Sequence, residues 1–270
     1  MSTDKNVYTH GHHESVLRSH KWRTIENSAK FLLPYLKDGV KLLDAGCGPG
    51  NITAEIAQLI PGGKVVGIDS STEIIKEASQ NYAVQCEDNL EFLVGDIYRL
   101  PFPDESFDVV YMHQVLQHLA DPVDALIELR RVLKAGGILA SREADNGAFT
   151  WYPELPELDR WRELYRDVTQ HNKAESNGGR YLKAWILDAK FSLISIECDT
   201  WIFSSEKDRI WWGDLWSKRV FESDFAKQSI EYGFSDSREL KELSNAFLKW
   251  SEDPNGIWTI PNMEIIASKN

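Results

Sequence analysis

Three carboxylates and a glycine-rich turn are the residues of this chain best placed to do chemistry. The turn, Gly46-Cys47-Gly48-Pro49-Gly50, follows the apolar run Lys41-Leu42-Leu43-Asp44-Ala45 and precedes Asn51 to Ile60. Glycines there open backbone angles closed to other residues and let a ligand approach the main chain. A helix starting beyond the turn presents free N–H groups to an anion or a polar ligand. The register departs from the dinucleotide fingerprint: Gly46 and Gly48 match its first two glycines, but Asn51 holds the place of the third. Asp69 closes a second apolar run, Lys64-Val65-Val66-Gly67-Ile68. Its distance from the turn is near the spacing of about 20 residues at which an acid reaches a ribose hydroxyl in nucleotide-binding folds. Asp96 closes a third run, Glu91-Phe92-Leu93-Val94-Gly95, and His113 leaves a fourth, Asp108-Val109-Val110-Tyr111-Met112.

The elements that must position these residues alternate strand and helix. Asn51 to Ile60 reads as a helix stopped by Pro61-Gly62-Gly63. Ser70 with Glu73 forms a capping box before a helix whose apolar side is Ile74, Ile75 and Ala78. Asp121-Pro122 starts another, with Leu126, Leu129 and Leu133 on one face and Ala135-Gly136-Gly137 at its end. Ile138 to Ser141 is a fifth strand, and Arg142-Glu143 leaves its C-terminal end toward the site. In open parallel sheets ligands sit outside those ends. Upstream, Ser15 to Leu36 has helical character, with Asn27 or Ser28 as the cap of a second helix. After Ala144, aromatic residues interleaved with acids and prolines read as a helical insertion. A helix over Tyr181–Ala189, a strand over Phe191–Cys198, a mostly helical stretch over 205–252 and a final strand over Asn262–Ser268 follow.

The ordered segments Asp44 to Gly50, Gly67-Ile68-Asp69-Ser70-Ser71, Val94-Gly95-Asp96-Ile97 and Phe107-Asp108-Val109-Val110 resemble the motifs of class I S-adenosylmethionine (SAM) methyltransferases. The likeness is to the group that includes ubiquinone- and menaquinone-biosynthesis methyltransferases, and it covers residues 37–145. It implies an α/β, Rossmann-like, seven-stranded, mostly parallel sheet with the last strand antiparallel and with N-terminal and late helical cover. It implies one domain over 1–270: a helical cap at 1–36, a SAM-binding core at 37–145, and an acceptor cover at 146–180 and 203–255. The cofactor-binding residues it implies are Asp44, Gly46, Cys47, Gly48, Gly50, Asp69, Ser70, Ser71, Ile74, Gly95, Asp96, Ile97 and His113. The glycine loop takes the amino-acid part of SAM, Asp69 the ribose and Asp96 the adenine amino group; the residue at Ile74 packs on the adenine. The segment Tyr8 to Arg23 resembles an N-terminal helix that folds over the donor pocket, bringing Tyr8, His10, His13, Arg18 and Trp22 toward SAM or the acceptor.

Methyl transfer is an in-line displacement needing a base only if the nucleophile arrives protonated. His113 is the candidate base, because an unperturbed imidazole titrates near pH ~6.5; Arg142 and Glu143 are alternatives for acceptor binding. Tyr111-Met112-His113-Gln114 stands where methylation of adenine amino groups or glutamine amides demands an Asn/Asp-Pro-Pro-Tyr/Phe sequence. Ten tryptophans is high for 270 residues; aromatic walls suit a planar or apolar small acceptor, and an aromatic cage also suits an amine. A net charge of −12 disfavours nucleic acid. No run approaches the ~18 apolar residues of a membrane span, and the polar N-terminus lacks a signal-peptide core. Cys47, Cys86 and Cys198 lack metal spacing and read as reduced thiols of a cytoplasmic protein, and no metal is expected at His10, His12, His13 and His20. The chain therefore reads as a SAM-dependent methyltransferase of a small molecule. A protein methyltransferase and a SAM-binding regulatory protein without transfer are the alternatives.

Overall fold

The computed structural model describes residues 7–11, 13–82 and 89–270; His12, Cys86 and the first six residues lie outside the described residues. The chain opens with α1 (Glu14–Lys21), α2 (Ile25–Ser28) and a 3₁₀ turn over Lys30–Tyr35. The second helix is four residues long, and its cap is Thr24 rather than Asn27 or Ser28. Asn27 is instead the reciprocal partner, its side chain accepting the Thr24 N–H at 2.8 Å. A proline at 34, which lacks an N–H, lies in the 3₁₀ turn that replaces the longer helix.

A βα repeat follows: β1 (Lys41–Ala45), α3 (Asn51–Leu59), β2 (Lys64–Asp69), α4 (Thr72–Tyr82), β3 (Leu90–Val94), β4 (Phe107–His113), α5 (Pro122–Val132) and β5 (Leu133–Ala144). The late half holds β6 (Thr150–Tyr152), α6 (Pro156–His171), α7 (Gly178–Asp188), β7 (Ser192–Phe203), α8 (Glu206–Glu222), α9 (Asp224–Glu231), α10 (Ser237–Glu252) and β8 (Ile257–Ser268). One sheet runs β3-β2-β1-β4-β5-β8-β6, with β7 also paired to β8. The pairs among β1 to β5 are parallel, and β8 is antiparallel to β5, β6 and β7. The sheet is thus mostly parallel with an antiparallel last strand, but it has eight strands, not seven. The extra one, β6, exists because β8 begins at Ile257, before the expected Asn262, and Trp151 stacks on Trp258 at 4.7 Å between ring centroids.

Two expected boundaries also move. Leu133 is the first residue of β5, paired with Phe107, and the helix stops at Val132 before reaching the glycines. The cap of α4 is Ser71, whose Oγ accepts the Ile74 N–H at 3.3 Å, so Ser70 is free to face elsewhere. Alternation along the strands splits the core into layers. Leu43, Val66 and Val110 pack under α5 and α7; Leu42, Val65 and Val109 pack under α3 and the N-terminal turn. A third, aromatic-rich core joins α6, α8 and α10 to β6, β7 and β8. No helix among the described residues is long and apolar enough to cross a membrane.

Candidate active site

The parallel strands end together on one side of the sheet, and the turn after β1 is folded against the end of β2. Gly46 and Cys47 donate their N–H groups to Ile68 O at 2.7 and 3.0 Å. The Asp69 carboxylate accepts the Gly48 N–H at 3.1 Å through one oxygen and the Ser71 N–H at 3.0 Å through the other. Gly48 has φ +53°, and a Cβ there would have its nearest neighbour 4.0 Å away, at His20 Nδ1; its open side is where a ligand can lie on the backbone. Gly50 is different. It caps α3 with φ +81°, and a Cβ would lie 2.6 Å from the Phe92 ring, so its glycine is required by packing.

A cavity of about 250 Å³ opens beside Gly48. Asp44, Gly46, Cys47, Gly48, Asp69, Ser70, Ile74, Gly95, Asp96, Ile97 and His113 all line it. Gly50 and Ser71 do not: the first is behind the loop and the second is turned into its helix cap. Asp69 and Asp96 therefore share one cavity. Of the N-terminal candidates Tyr8 lines it, together with His20 and Arg23 from α1 and its exit. Tyr8, His20, Arg23, Gln114 and His118 also line a second chamber of about 70 Å³, which is walled by Trp201, Trp211, Trp212, Trp216, Phe149 and Tyr165. His10 and Trp22 belong to that chamber. His13 caps α1 and Arg18 pairs with Asp214 at 2.8 Å, and neither lines these two cavities.

Residues 36–203 match the model of a methyltransferase domain family. An uncharacterized methyltransferase of Schizosaccharomyces pombe is 35% identical over 99% of this chain and 98% of its own length. A demethylmenaquinone methyltransferase of Lactococcus lactis is 36% identical over 47% of this chain and 48% of its own. This chain belongs to the class I SAM-dependent methyltransferase family. A putative methyltransferase structure from Bacillus halodurans superposes with a TM-score of 0.59 at 21% identity, covering 89% of this chain and 97% of that one, which shows the fold.

In this member of the SAM-dependent methyltransferase family the electrostatics of the site are unusual in two places. Asp44 is buried, donated to by Thr53 Oγ1 at 2.7 Å, and burial pushes its carboxyl up to about 7. His113 is also buried; burial and the nearby Arg23, Arg142 and His20 hold its imidazole well below the ordinary range, and neither ring nitrogen has a hydrogen-bond partner. The ring is a neutral group with a free edge, a much weaker base than an ordinary histidine, which corrects the expectation drawn from an unperturbed imidazole. Arg142 and Glu143, expected as alternatives for acceptor binding, line neither cavity. Arg142 is buried in ion pairs with Glu264 and with Asp199 at 2.8 Å. Glu143 accepts the N–H groups of Val115 and Leu116, each at 2.9 Å, and of Gln117 at 3.3 Å, fixing the turn that presents Gln114. Gln114, at φ +53°, donates to Asn262 Oδ1 at 2.9 Å and accepts from Arg23 Nη2 at 2.5 Å.

The residues this family member adds, which sequence reasoning passed over, are His20, Arg23 and Arg219. One signal for the last was present: Trp212, Trp216 and Arg219 recur at helical spacing, so the arginine shares the buried stripe of α8. For Arg23 there was none, because its placement depends on the side chain of Asn51 binding the carbonyls of His20 and Arg23 across the glycine loop.

Proposed function

We propose that this protein transfers the methyl group of SAM to a small planar molecule held in the aromatic chamber, and that it does so in the cytosol. The observation that carries the reading is that Asp69 and Asp96 border one cavity beside the open face of Gly48, and that this cavity adjoins a second one walled by indole rings. In this reading Gly46, Cys47 and Gly48 hold the methionine portion and Asp44 its amino group. Asp69, whose oxygens each retain a second accepting position, holds the ribose hydroxyls. Asp96, Ile97 and Gly95 take the adenine edge, Ile74 its face, and Ser70 the rim. Gly50 and Ser71 act indirectly, by shaping the loop and seating the helix. SAM brings an activated methyl on a sulfonium: a lone pair of the acceptor forms the new bond to carbon, and the C–S pair leaves on a neutral thioether. The chain's own part is to align the acceptor, exclude water and offer His113 as a neutral hydrogen-bonding edge. Demethylmenaquinone, named for one relative's substrate class, supports a ring-shaped acceptor, and the −12 charge disfavours a nucleic acid.

Calorimetric titration with SAM and S-adenosylhomocysteine tests the donor half. Binding by wild type that is lost in Asp69→Ala is expected; no binding, or undiminished binding by the variant, sinks the reading. Incubation of a cell extract with methyl-labelled SAM tests the acceptor half: label is expected in the small-molecule fraction. Label in protein favours a protein methyltransferase, and tight binding without label favours a SAM-binding regulator.

A further inference from the structure

The two chambers differ in the sign of their charge. Among the described residues, the carboxylates at their walls, Asp44, Asp69 and Asp96, all border the larger cavity, and none borders the smaller. The smaller chamber is bordered instead by two guanidiniums, Arg23 at the shared rim and Arg219 on α8. Arg219 is 5% exposed. It donates from Nη2 to Ser15 O at 2.9 Å and to Ser19 Oγ at 2.7 Å, and its Cζ lies 4.6 Å from the Trp216 ring centroid. Its Nε, like that of Arg23, is buried without a partner. The hydrogen-bond acceptors of both arginines are neutral, and neither forms an ion pair among the described residues. Arg18, Arg131, Arg142, Arg160 and Arg180 each meet a carboxylate, whereas Arg209, also buried and donating to the Ser204 carbonyl at 2.6 Å, borders neither chamber. A buried charge without a counter-ion is costly, and an indole face offsets only part of that cost. In a chain with a net charge of −12, acids were not lacking to pair them.

We propose that the methyl acceptor is a planar acid: a small ring bearing an anionic oxygen group, which rests against Arg219 in the aromatic chamber while the reacting atom faces the donor cavity past Arg23. The assignment rests on the donor-site reading above and narrows it. A charged amine, the other guest that aromatic walls admit, meets two like charges there and is excluded. The planar guanidinium fork suits a carboxylate or an acidic ring oxygen, and the indole walls suit the ring that carries it. Arg219 also ties α1 to α8 through Ser15 and Ser19, so its role must be separated from that tie.

The experiment uses three ring compounds of nearly one shape: benzoate, benzamide and benzylamine. Each is titrated into the full chain saturated with S-adenosylhomocysteine, with quenching of tryptophan fluorescence as the readout. Wild type is expected to bind benzoate about tenfold more tightly than benzamide, with benzylamine weakest. Arg219→Gln is expected to bind benzoate and benzamide equally, and Arg219→Lys to keep part of the preference. Ser19→Ala, which removes one structural hydrogen bond and leaves the charge, is expected to keep all of it. Equal binding of benzoate and benzamide by wild type, no binding of any of the three, tightest binding of benzylamine, or a preference that survives in Arg219→Gln would each overturn the assignment. Calorimetry with S-adenosylhomocysteine comes first. Failure there removes the donor reading itself, whereas failure of benzoate with the donor product bound removes only the acidic acceptor.

Discussion

The strand ends that border the larger cavity and the helical cover behind them are built by different means. At the strand ends, the site is written into the backbone: Gly46 and Cys47 donate their N–H groups to Ile68 O, and the Asp69 carboxylate is fixed by those of Gly48 and Ser71. In the cover, side chains from segments far apart in sequence meet, as when Tyr165 Oη and His10 Nε2 approach to 2.9 Å across 155 residues. A ligand that recurs across a family can be read by a fixed backbone cradle. A ligand that varies is better read by side chains on helices, whose substitution leaves the sheet intact.

The largest expected effect is on the first side of that contrast. Asp69→Ala removes a carboxylate that braces the glycine loop and, as proposed, accepts two ribose hydroxyls. Hydrogen bonds to a charged group contribute about 1.5–3 kcal/mol each, so the affinity for S-adenosylhomocysteine should fall by about 4 kcal/mol, near a thousandfold. Calorimetry measures it, and Arg219→Gln in the same assay should change the affinity by less than about threefold. Similar losses from the two variants would mean the two regions are not separable.

Trp161→Ala inverts the test. This ring is wholly buried in the aromatic core, packed on Trp216 at 4.7 Å and on Phe247 at 5.2 Å. Truncation should cost about 3 kcal/mol of stability, seen in chemical denaturation. S-adenosylhomocysteine affinity at low temperature should stay near wild type, since no element of the donor cavity rests on it directly.

The same division decides what the sequence discloses. Asp44, Asp69 and Asp96 sit at the ends of short apolar runs, and a run ending in an acid beside a glycine turn is a local pattern whose geometry follows from parallel pairing. The succession of strands β1 to β5 was legible for that reason, whereas the antiparallel last strand was expected only from the family resemblance. Gly50 and Ser71 shared the pattern without sharing the cavity, because position in a motif does not tell whether a residue faces the ligand or the packing behind it. Arg23, His20 and Arg219 were not legible as a group: they converge only after α1 folds over the sheet and α8 packs on α1. The eighth strand was missed because three residues, Thr150 to Tyr152, carry too short a pattern to stand out without their partner Trp258.

A smaller effect concerns pH. The folded protein raises the Asp44 carboxyl from 3.8 to about 7 and the Glu143 carboxyl from 4.5 to about 7, both by burial. Between those values the native state holds protons that the unfolded chain has lost, so the contribution of these two groups is greatest near pH 4 and falls as the pH rises toward 7, while the buried His10, His113 and His118, held below the ordinary imidazole range by burial, contribute in the opposite direction. A tenfold change in proton affinity corresponds to about 1.4 kcal/mol, and after screening and relaxation each group accounts for a fall on the order of 2 kcal/mol. Denaturation midpoints measured across that range check it. Asp44→Asn, which keeps an acceptor for Thr53 but cannot ionise, should gain stability relative to wild type as the pH rises from 4 to 7; a difference that does not change with pH would place the titration elsewhere, and one that shrinks would reverse the sign.

The smallest effect isolates what the family pattern conceals. Ser71 occupies a position that the resemblance assigns to the cofactor, yet its Oγ accepts the Ile74 N–H at 3.3 Å and its N–H, not its side chain, braces Asp69. Ser71→Ala removes an N-cap and leaves that backbone donor in place. The expected cost is about 1 kcal/mol of stability, with S-adenosylhomocysteine affinity within about twofold of wild type. Ser70→Ala supplies the opposite case, because the cap is Ser71 and Ser70 borders the cavity: stability should hold while any change appears in binding. Were Ser71→Ala to weaken the ligand more than Ser70→Ala does, the cap and the rim would have exchanged roles, and the boundary drawn between backbone cradle and supporting helix would have to move one residue inward.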